Sequence, residues 1–345
     1  MTSENLDRLD DRKAEVLRAI VEHYVQSAAP VGSQTIVATA GLGVSAATVR
    51  NDMVALERDG YITHPHTSAG RIPTDKGYRF FVDHFAGASK LSSPQRREVA
   101  DFFASTTRVM DDLLHDTSQL LARVTHHAAV VIGPQTEVAT VRSVQLVSIQ
   151  PRVVLAVVVL SNGVVEKETV LLDADASDDD IATASQLLHQ GSVGRPFTDV
   201  GVGGASDSDH VSVAEQLAAR AADVLAQHVQ SSTGPVFVGG TSRLAAERED
   251  FTSPAQIARL LELLEQQVVV VAMVRELLGP GLTVRIGSEN EHQDLTECSL
   301  VLAPYLVEGQ AAGTVGVLGP TRMDYRQAQA AVTAISNQLS RTLPS

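Results

Sequence analysis

Arg50 and Asn51 carry the most specific chemistry that can be read from this chain. A guanidinium offers paired donors that match the O6 and N7 acceptors of guanine, and a carboxamide offers the donor and acceptor that match the edge of adenine. Both lie in VSAATVRNDMVALERDGYITHPHTSAGRIPT, residues 44–74, whose spacing predicts a helix, a short strand and a loop. Ser45 stands where a hydroxyl can accept from first-turn amides that have no intrahelical partner. Val49, Met53 and Leu56 recur at i, i+4 and i+7 and form one apolar stripe at helical pitch. Ala47, Arg50 and Asn51 point the other way, near the helix N-terminus, the end that a helix-turn-helix protein pushes into the major groove. Ser45, Ala46, Ala47 and Thr48 would set that end against the groove, while Arg50 and Asn51 would touch base edges. Gly60 ends the helix, Tyr61-Ile62-Thr63 fits a strand, and 64–73 is a turn-rich loop holding His64, His66, Ser68 and Arg71. Arg71 and Ser68 are the loop's candidates for phosphate contacts. The same stretch taken alone also describes an ordinary solvated helix, so the order of the surrounding elements has to decide.

That order is informative. Residues 7–27 read as a helix with Leu9, Val16, Leu17, Ile20, Val21 and Tyr24 on one face, and Pro30 follows soon after its end. Ser33 can cap a second, short helix through Ile36 and Val37, and Gly41-Leu42-Gly43 turns the chain into Ser45. Helix, short helix, turn, capped helix, strand and loop is the winged helix-turn-helix order.

Composition bounds the rest. A chain of 345 residues predicts two or three domains at roughly 100–200 residues each. With 44% apolar residues it can bury substantial cores, yet no apolar run approaches the ~20 residues that span a membrane. The polar, acidic N-terminus is no secretory signal. A single cysteine, Cys298, excludes an intramolecular disulfide framework and a cysteine-rich zinc site, so a reducing cytoplasm fits best. Net charge is −14, which opposes phosphate binding until its distribution is considered. Residues 1–90 hold ten Lys/Arg and eleven Asp/Glu, leaving 17 and 30 for the remainder, so the acid lies outside the proposed DNA-reading module.

Residues 84–95 are rich in small residues and read as a linker. Val99, Phe103, Thr106, Met110, Leu113, Thr117, Leu120 and Val124 then alternate steps of four and three, predicting one helix over 96–124. Such a helix would span ~44 Å as a spine or a dimer surface. Strands are predicted at 128–132, 141–149, 153–159 and 164–172, with Asn162-Gly163 as a hairpin turn, and the sheet resumes at 282–287, 299–306 and 313–318 before a helix at 325–343. A polar, Gly/Ser/Asp-rich stretch, 191–210, is expected to be a mobile loop, and helical patterns follow it at 211–229 and 255–278. This is an antiparallel sheet backed by helices, an α+β layer.

No enzyme constellation emerges. His126 and His127 would face different directions on a helix, with no glutamate at ligand spacing to complete a zinc motif. The glycines at 239–240 and 316–319 lack the lysine of a phosphate loop. Cys298 has no activating neighbour in sequence. Neither catalytic residues, cofactor nor metal is expected.

Six blocks carry a family resemblance: PVGSQTI (30–36), VSAATVRNDMVALERDGYI (44–62), PHTSAGRIPTDKGYRFFVD (65–83), GGTSRLAAEREDF (239–251), IGSEN (286–290) and GTVGVLGPTRMDY (313–325). In content and order they resemble the HrcA family of bacterial heat-inducible transcription repressors, over nearly the whole chain. The resemblance implies a multi-domain protein: a winged helix-turn-helix at 1–88, a linker at 89–95, and a GAF-like α+β domain at 96–172 and 281–345. A mainly helical inserted dimerisation domain at 173–280 would interrupt the latter. It further implies a cytoplasmic homodimer, at the nucleoid when bound to its operator. That dimer would repress class I heat-shock (chaperone) operons by binding an inverted repeat, CIRCE, in double-stranded DNA. The chaperonin GroEL would keep it active, and heat would relieve repression. The alternative is a winged-helix regulator controlled by a small molecule in its GAF-like domain, for which the sequence offers no convergent set of polar residues.

Overall fold

The computed structural model describes residues 9–65, 70–87, 90–105, 110–134, 139–203, 212–231, 234–246, 251, 253–277, 279, 281–290, 292–307 and 310–343. Its first part follows from capping and helical pitch. Helices α1 (Asp11–Ser27), α2 (Ser33–Ala40) and α3 (Ala46–Arg58) bury Val16, Leu17, Ile20, Ile36, Val49 and Leu56 together. Gly32, not Ser33, precedes α2; Ser33 is the first helical residue and is buried. Asp52 sits at only 4% exposure among these apolar side chains, where an unpaired carboxylate would be costly. Arg12 of α1 meets it with two bonds of 2.8 and 3.0 Å and so ties α1 to α3. Strands β1 (Ile62–Thr63) and β2 (Ile72–Pro73) pair antiparallel, and Val31 and Arg71 exchange backbone hydrogen bonds alongside. Helix α4 (Asp75–Phe85) begins at a Thr74 cap and packs so closely on the Tyr61 carbonyl that a Cβ at Gly77 would collide with it.

The expected 44 Å spine is folded in two. Helices α5 (Ser93–Ala104) and α6 (Met110–Thr125) run back along each other, because Gln95 Nε2 donates to the Val124 carbonyl at 3.1 Å and Arg123 pairs with Glu98. Apolar spacing is blind to such a reversal, since both arms of a helical hairpin present the same periodicity.

Further along lie β3 (Ala128–Ile132), β4 (Val141–Gln150), β5 (Val153–Leu160), β6 (Val165–Leu171), α7 (Asp178–Ser192) and α8 (Val213–Ser231). Next come β7 (Val236–Gly239), α9 (Thr241–Ala246), α10 (Pro254–Glu265) and α11 (Gln267–Leu277). The chain closes with β8 (Thr283–Ile286), β9 (Cys298–Val307), β10 (Gln310–Pro320) and α12 (Tyr325–Thr342). The main sheet has the order β7-β3-β10-β9-β8, with every neighbour antiparallel. Its strands alternate between two cores, as period-two side chains must. Ala129, Val131, Val301, Ala303, Tyr305, Val315 and Val317 join one core, and Ala128, Val130, Ile132, Leu300, Leu302 and Leu318 the other. The first core also holds α6, α12 and the buried residues of α1, α3 and α4, so the N-terminal helices share a continuous apolar interior with the sheet. Helices α10 and α11 cover the opposite face.

The protein is thus a mixed α/β chain of many helices and several sheets. Its division differs from the expected one. Strands β4-β5-β6 form a separate antiparallel sheet whose inner face, with Val154, Ala156, Val158 and Leu160, packs on α7 and α8 in a core of its own. Strand pairing therefore sets 139–231 apart and returns the elements of 234–277 to the main sheet, whereas the sequence placed the boundaries at 173 and 280. Nor is 191–203 a loose loop. Phe197 is fully buried, and Ser192 Oγ both donates to the Gly201 carbonyl and accepts from its amide. The remainder of that expected loop, 204–210, lies outside the described residues. Among the described residues no helix is long and apolar enough to cross a membrane.

Cys298 is fully buried at the start of β9, and burial followed by the nearby Glu297 charge pushes its thiol up to about 12. The thiolate is the reactive species. A disulfide reagent is therefore expected to label Cys298 only as the protein unfolds, with a rate that tracks denaturant concentration; fast labelling of the native protein would contradict this burial.

Candidate nucleic-acid interface

The outward face of α3 is shaped by what its inward face buries. Val49, Asp52, Met53 and Leu56 are committed to the interior, which leaves Ala47, Arg50, Asn51, Val54 and Arg58 in solvent along one side. Ser45 caps the helix as expected: its backbone is extended, and its hydroxyl accepts from the Thr48 amide at 3.2 Å and meets Thr48 Oγ1 at 3.0 Å. Ala46 and Thr48 are half-buried, so the exposed tip consists of Ser45 and Ala47. Arg50 and Asn51 stand one turn further along, both exposed. Val54 escaped the sequence reading. At 54% exposure it is an apolar side chain in line with Arg50 and Asn51, suited to a thymine methyl. The signal was present in the i, i+3, i+7 spacing from Ala47, but a valine in a helix reads by default as core.

Glu57 organises the loop that follows. Its carboxylate accepts from Arg71 Nε at 2.9 Å and from Arg71 NH2 at 2.8 Å, and also pairs with His64 Nδ1. Burial alone would raise the Glu57 pKa; His64 and Arg71 together outweigh it and hold the group below the usual glutamate value. The two ends of the loop are thereby fastened to α3. Thr74 Oγ1 donates to the Gly60 carbonyl at 2.6 Å, and the Lys76 ammonium lies 4.4 Å from the centre of the Tyr61 ring. Arg71, expected as a phosphate contact, is placed as an anchor of the loop with its side chain 24% exposed. Ser68 and His66 lie outside the described residues.

A clamp fixes this assembly to the main sheet. Arg79 of α4 donates to Glu289 through Nε at 2.7 Å and NH2 at 2.5 Å, and NH2 also reaches the Val284 carbonyl at 2.6 Å. One turn earlier, Asp75 accepts from both the amide and the hydroxyl of Ser288, at 2.9 and 2.8 Å. Gly287 adopts a positive φ of 51°, and the Asp75 carboxylate occupies the space a Cβ would need, so a side chain at 287 would displace the clamp. Arg326 of α12 adds a bond to the Phe85 carbonyl at 3.0 Å and an ion pair with Glu22, and Arg322 reaches the Val25 carbonyl at 2.8 Å. The motifs around 65–83 and 286–290, far apart in sequence, are two halves of one contact.

Comparison with known proteins bears on what this exposed helix serves. The protein-family model described as the HrcA protein C terminal domain matches residues 111–328. The heat-inducible transcription repressor HrcA of Nocardia farcinica is 40% identical over 339 residues, covering 97% of each chain. The chain belongs to the HrcA family. The HrcA repressor of an Arthrobacter species is 42% identical over 342 residues, covering 97% of this chain and 99% of that one. A solved crystal structure of a hypothetical protein, 25% identical, superposes with a TM-score of 0.70 over 97% of this chain and 99% of its own. Membership of the HrcA family thus extends from α1 to α12, and includes the α3 face that the family model itself does not cover.

Two outcomes follow from the geometry. Because the Glu57 pKa is depressed in the folded state, its contribution is present above its ordinary pKa of about 4.5 and is lost as pH falls below it. Urea midpoints of wild type and Glu57→Gln should differ near neutral pH and converge in acid; a gap that persists unchanged at low pH would exclude the carboxylate as its source. Arg79→Leu should lower the unfolding free energy by about 2 kcal/mol, the usual loss for hydrogen bonds to a charged group, measured by denaturant titration.

Proposed function

We propose that this protein is a heat-inducible transcription repressor that reads double-stranded operator DNA with α3. The observation that carries the reading is the exposed Arg50–Asn51 pair at the capped end of α3, in a chain that aligns almost end to end with relatives bearing that name. Residues 9–87 are read as the winged helix-turn-helix, with α2 and α3 as the motif and the 62–73 hairpin as its wing. Arg50 takes a base edge bidentately, Asn51 takes an adenine or a neighbouring phosphate, and Val54 adds apolar contact. Ser45, Ala46, Ala47 and Thr48 form the tip that meets the groove wall. Arg71 aligns the wing through Glu57, and Ser68 completes it.

The main sheet with α5, α6 and α12 is read as the GAF-like layer, and 139–231 as the inserted dimerising unit. Support for the latter comes from the outer face of its sheet. Val153, Leu155, Val157 and Val159 alternate with the buried set of β5 and are only half-covered, while Val147 and Leu171 on the flanking strands are 44% and 64% exposed. Exposed apolar surface of this kind, bordered here by Ser143, Gln145, Lys167 and Thr169, marks an interaction site. A two-fold dimer built there would present two α3 helices to an inverted repeat such as CIRCE. Chaperonin dependence, with GroEL as the partner and heat as the release, completes the reading of a cytoplasmic repressor of chaperone operons.

Arg50→Ala is expected to weaken specific binding by about 1–3 kcal/mol if the contact is bidentate, with little change on non-specific DNA. A gel-shift titration at stated salt, comparing intact and half inverted repeats, checks both this and two-fold symmetry. Equal affinity for the two probes would remove the dimer from the mechanism, and unchanged specificity would remove Arg50 from the interface.

A further inference from the structure

A cleft of about 320 Å³ opens where the end of α4 and the segment after it meet α5, α12 and the residue that leads into β8. Small side chains make the room. Ala330 and Ala334 stand one turn apart on the same side of α12, and Ala86 caps the end of α4, so three methyl groups line a gap that larger residues would fill. Leu91 and Leu282 complete an apolar wall, with Leu282 left 42% exposed.

The cleft also carries positive charge that no acid answers. Lys90 and Arg96 belong to its lining, and among the described residues no aspartate or glutamate does. In the helices around it arginines are matched: Arg18 with Glu15, Arg79 with Glu289, Arg123 with Glu98 and Arg326 with Glu22. Arg96 NH2 donates to Ser93 Oγ at 3.1 Å, which leaves its Nε and NH1 without a protein acceptor among the described residues, and Lys90 meets no carboxylate there either. Both side chains are exposed, so their donors can be reached from the cleft.

We propose that this cleft binds a medium-chain fatty acid as its carboxylate. The ligand's carboxylate meets the Arg96 guanidinium, the pairing for which that group is shaped, with the Lys90 ammonium as the second cation. The acyl chain covers Leu91, Leu282 and the alanines. An alcohol of the same length leaves the cations unanswered, a cationic amphiphile is repelled, and an inorganic anion leaves the apolar wall bare. Because that wall joins the end of α4 to the residue before β8, a bound chain braces the same joint that Arg79 and Glu289 close. The assignment does not depend on the repressor reading, because the cleft shares no lining residue with the α3 face or the 62–73 hairpin.

Octanoate is the probe, titrated calorimetrically into the full chain without DNA and below the concentration at which it forms micelles. Saturable binding is expected, at least about 10-fold tighter than that of octan-1-ol, which lacks the charge, while acetate, which lacks the chain, gives no saturable heat. The double variant Lys90→Gln, Arg96→Gln, exposed at both positions, should keep the thermal melt of the unliganded protein and lose the preference for octanoate over octan-1-ol. Thr333→Trp, at an exposed position on the α12 wall, should block binding while the unliganded melt stays unchanged. Absence of saturable heat at about 10 mM octanoate would overturn the proposal. So would equal affinity of the native protein for octan-1-ol, or undiminished binding to folded Thr333→Trp.

Discussion

The bidentate pair between Arg79 and Glu289 is the constraint on which the geometry of the whole molecule rests. Both side chains are about three-quarters buried, at 29% and 27% exposure, so the pair is shielded from most of the screening that makes surface ion pairs weak. Glu289 also accepts from the Ile286 amide at 2.9 Å, and Asp75 binds Ser288, so Asp75 and Arg79 on one side meet Ser288 and Glu289 on the other within about one turn of chain each. An apolar contact alone would allow α4 to slide over the sheet. Charged, directional bonds to the Val284 carbonyl of β8 and to the Ser288 amide just beyond it fix its angle, and with it the angle of α3.

That constraint acts through a shared interior. The core that buries Val16, Leu56 and Phe81 continues without a break into Tyr325, Val315 and Val301. The N-terminal helices are therefore a layer on the main sheet. The separate core of 139–231 has no such continuity: its helices and strands close on themselves, and the outward side of its central strand β5 is apolar. One end of the chain is thus coupled rigidly to the main sheet, and 139–231 is a self-contained unit.

Local structure was largely legible in the residues. The Ser45 cap, the Val49-Met53-Leu56 stripe, the Asn162-Gly163 turn and the limits of β3, β5 and α12 follow from capping, pitch and alternation, which are short-range properties. What was not legible involves partners distant in sequence. Nothing in the spacing of 96–124 announces that Gln95 returns to Val124, and nothing in β4 to β6 says that they pair only with one another. Strand β7 was missed because four residues ending in glycine carry too little pattern to register. At the candidate site the exposed side of α3 was legible except for Val54, while the pairing of Arg71 depends on Glu57, fourteen residues away, and becomes visible only once the loop is closed.

The clamp also has a timetable. Arg79 and Glu289 are 210 residues apart, so the helix that carries one leaves the ribosome long before the strand that precedes the other. At synthesis rates of about 5–20 residues per second the interval is on the order of 10–40 s. Throughout it, the apolar underside of α1 and α4 has no sheet to cover it, and Asp75 and Arg79 lack Ser288 and Glu289. The layer of α1 to α4 is thus made first and oriented last, and every nascent copy passes through a period in which these helices exist without a fixed direction.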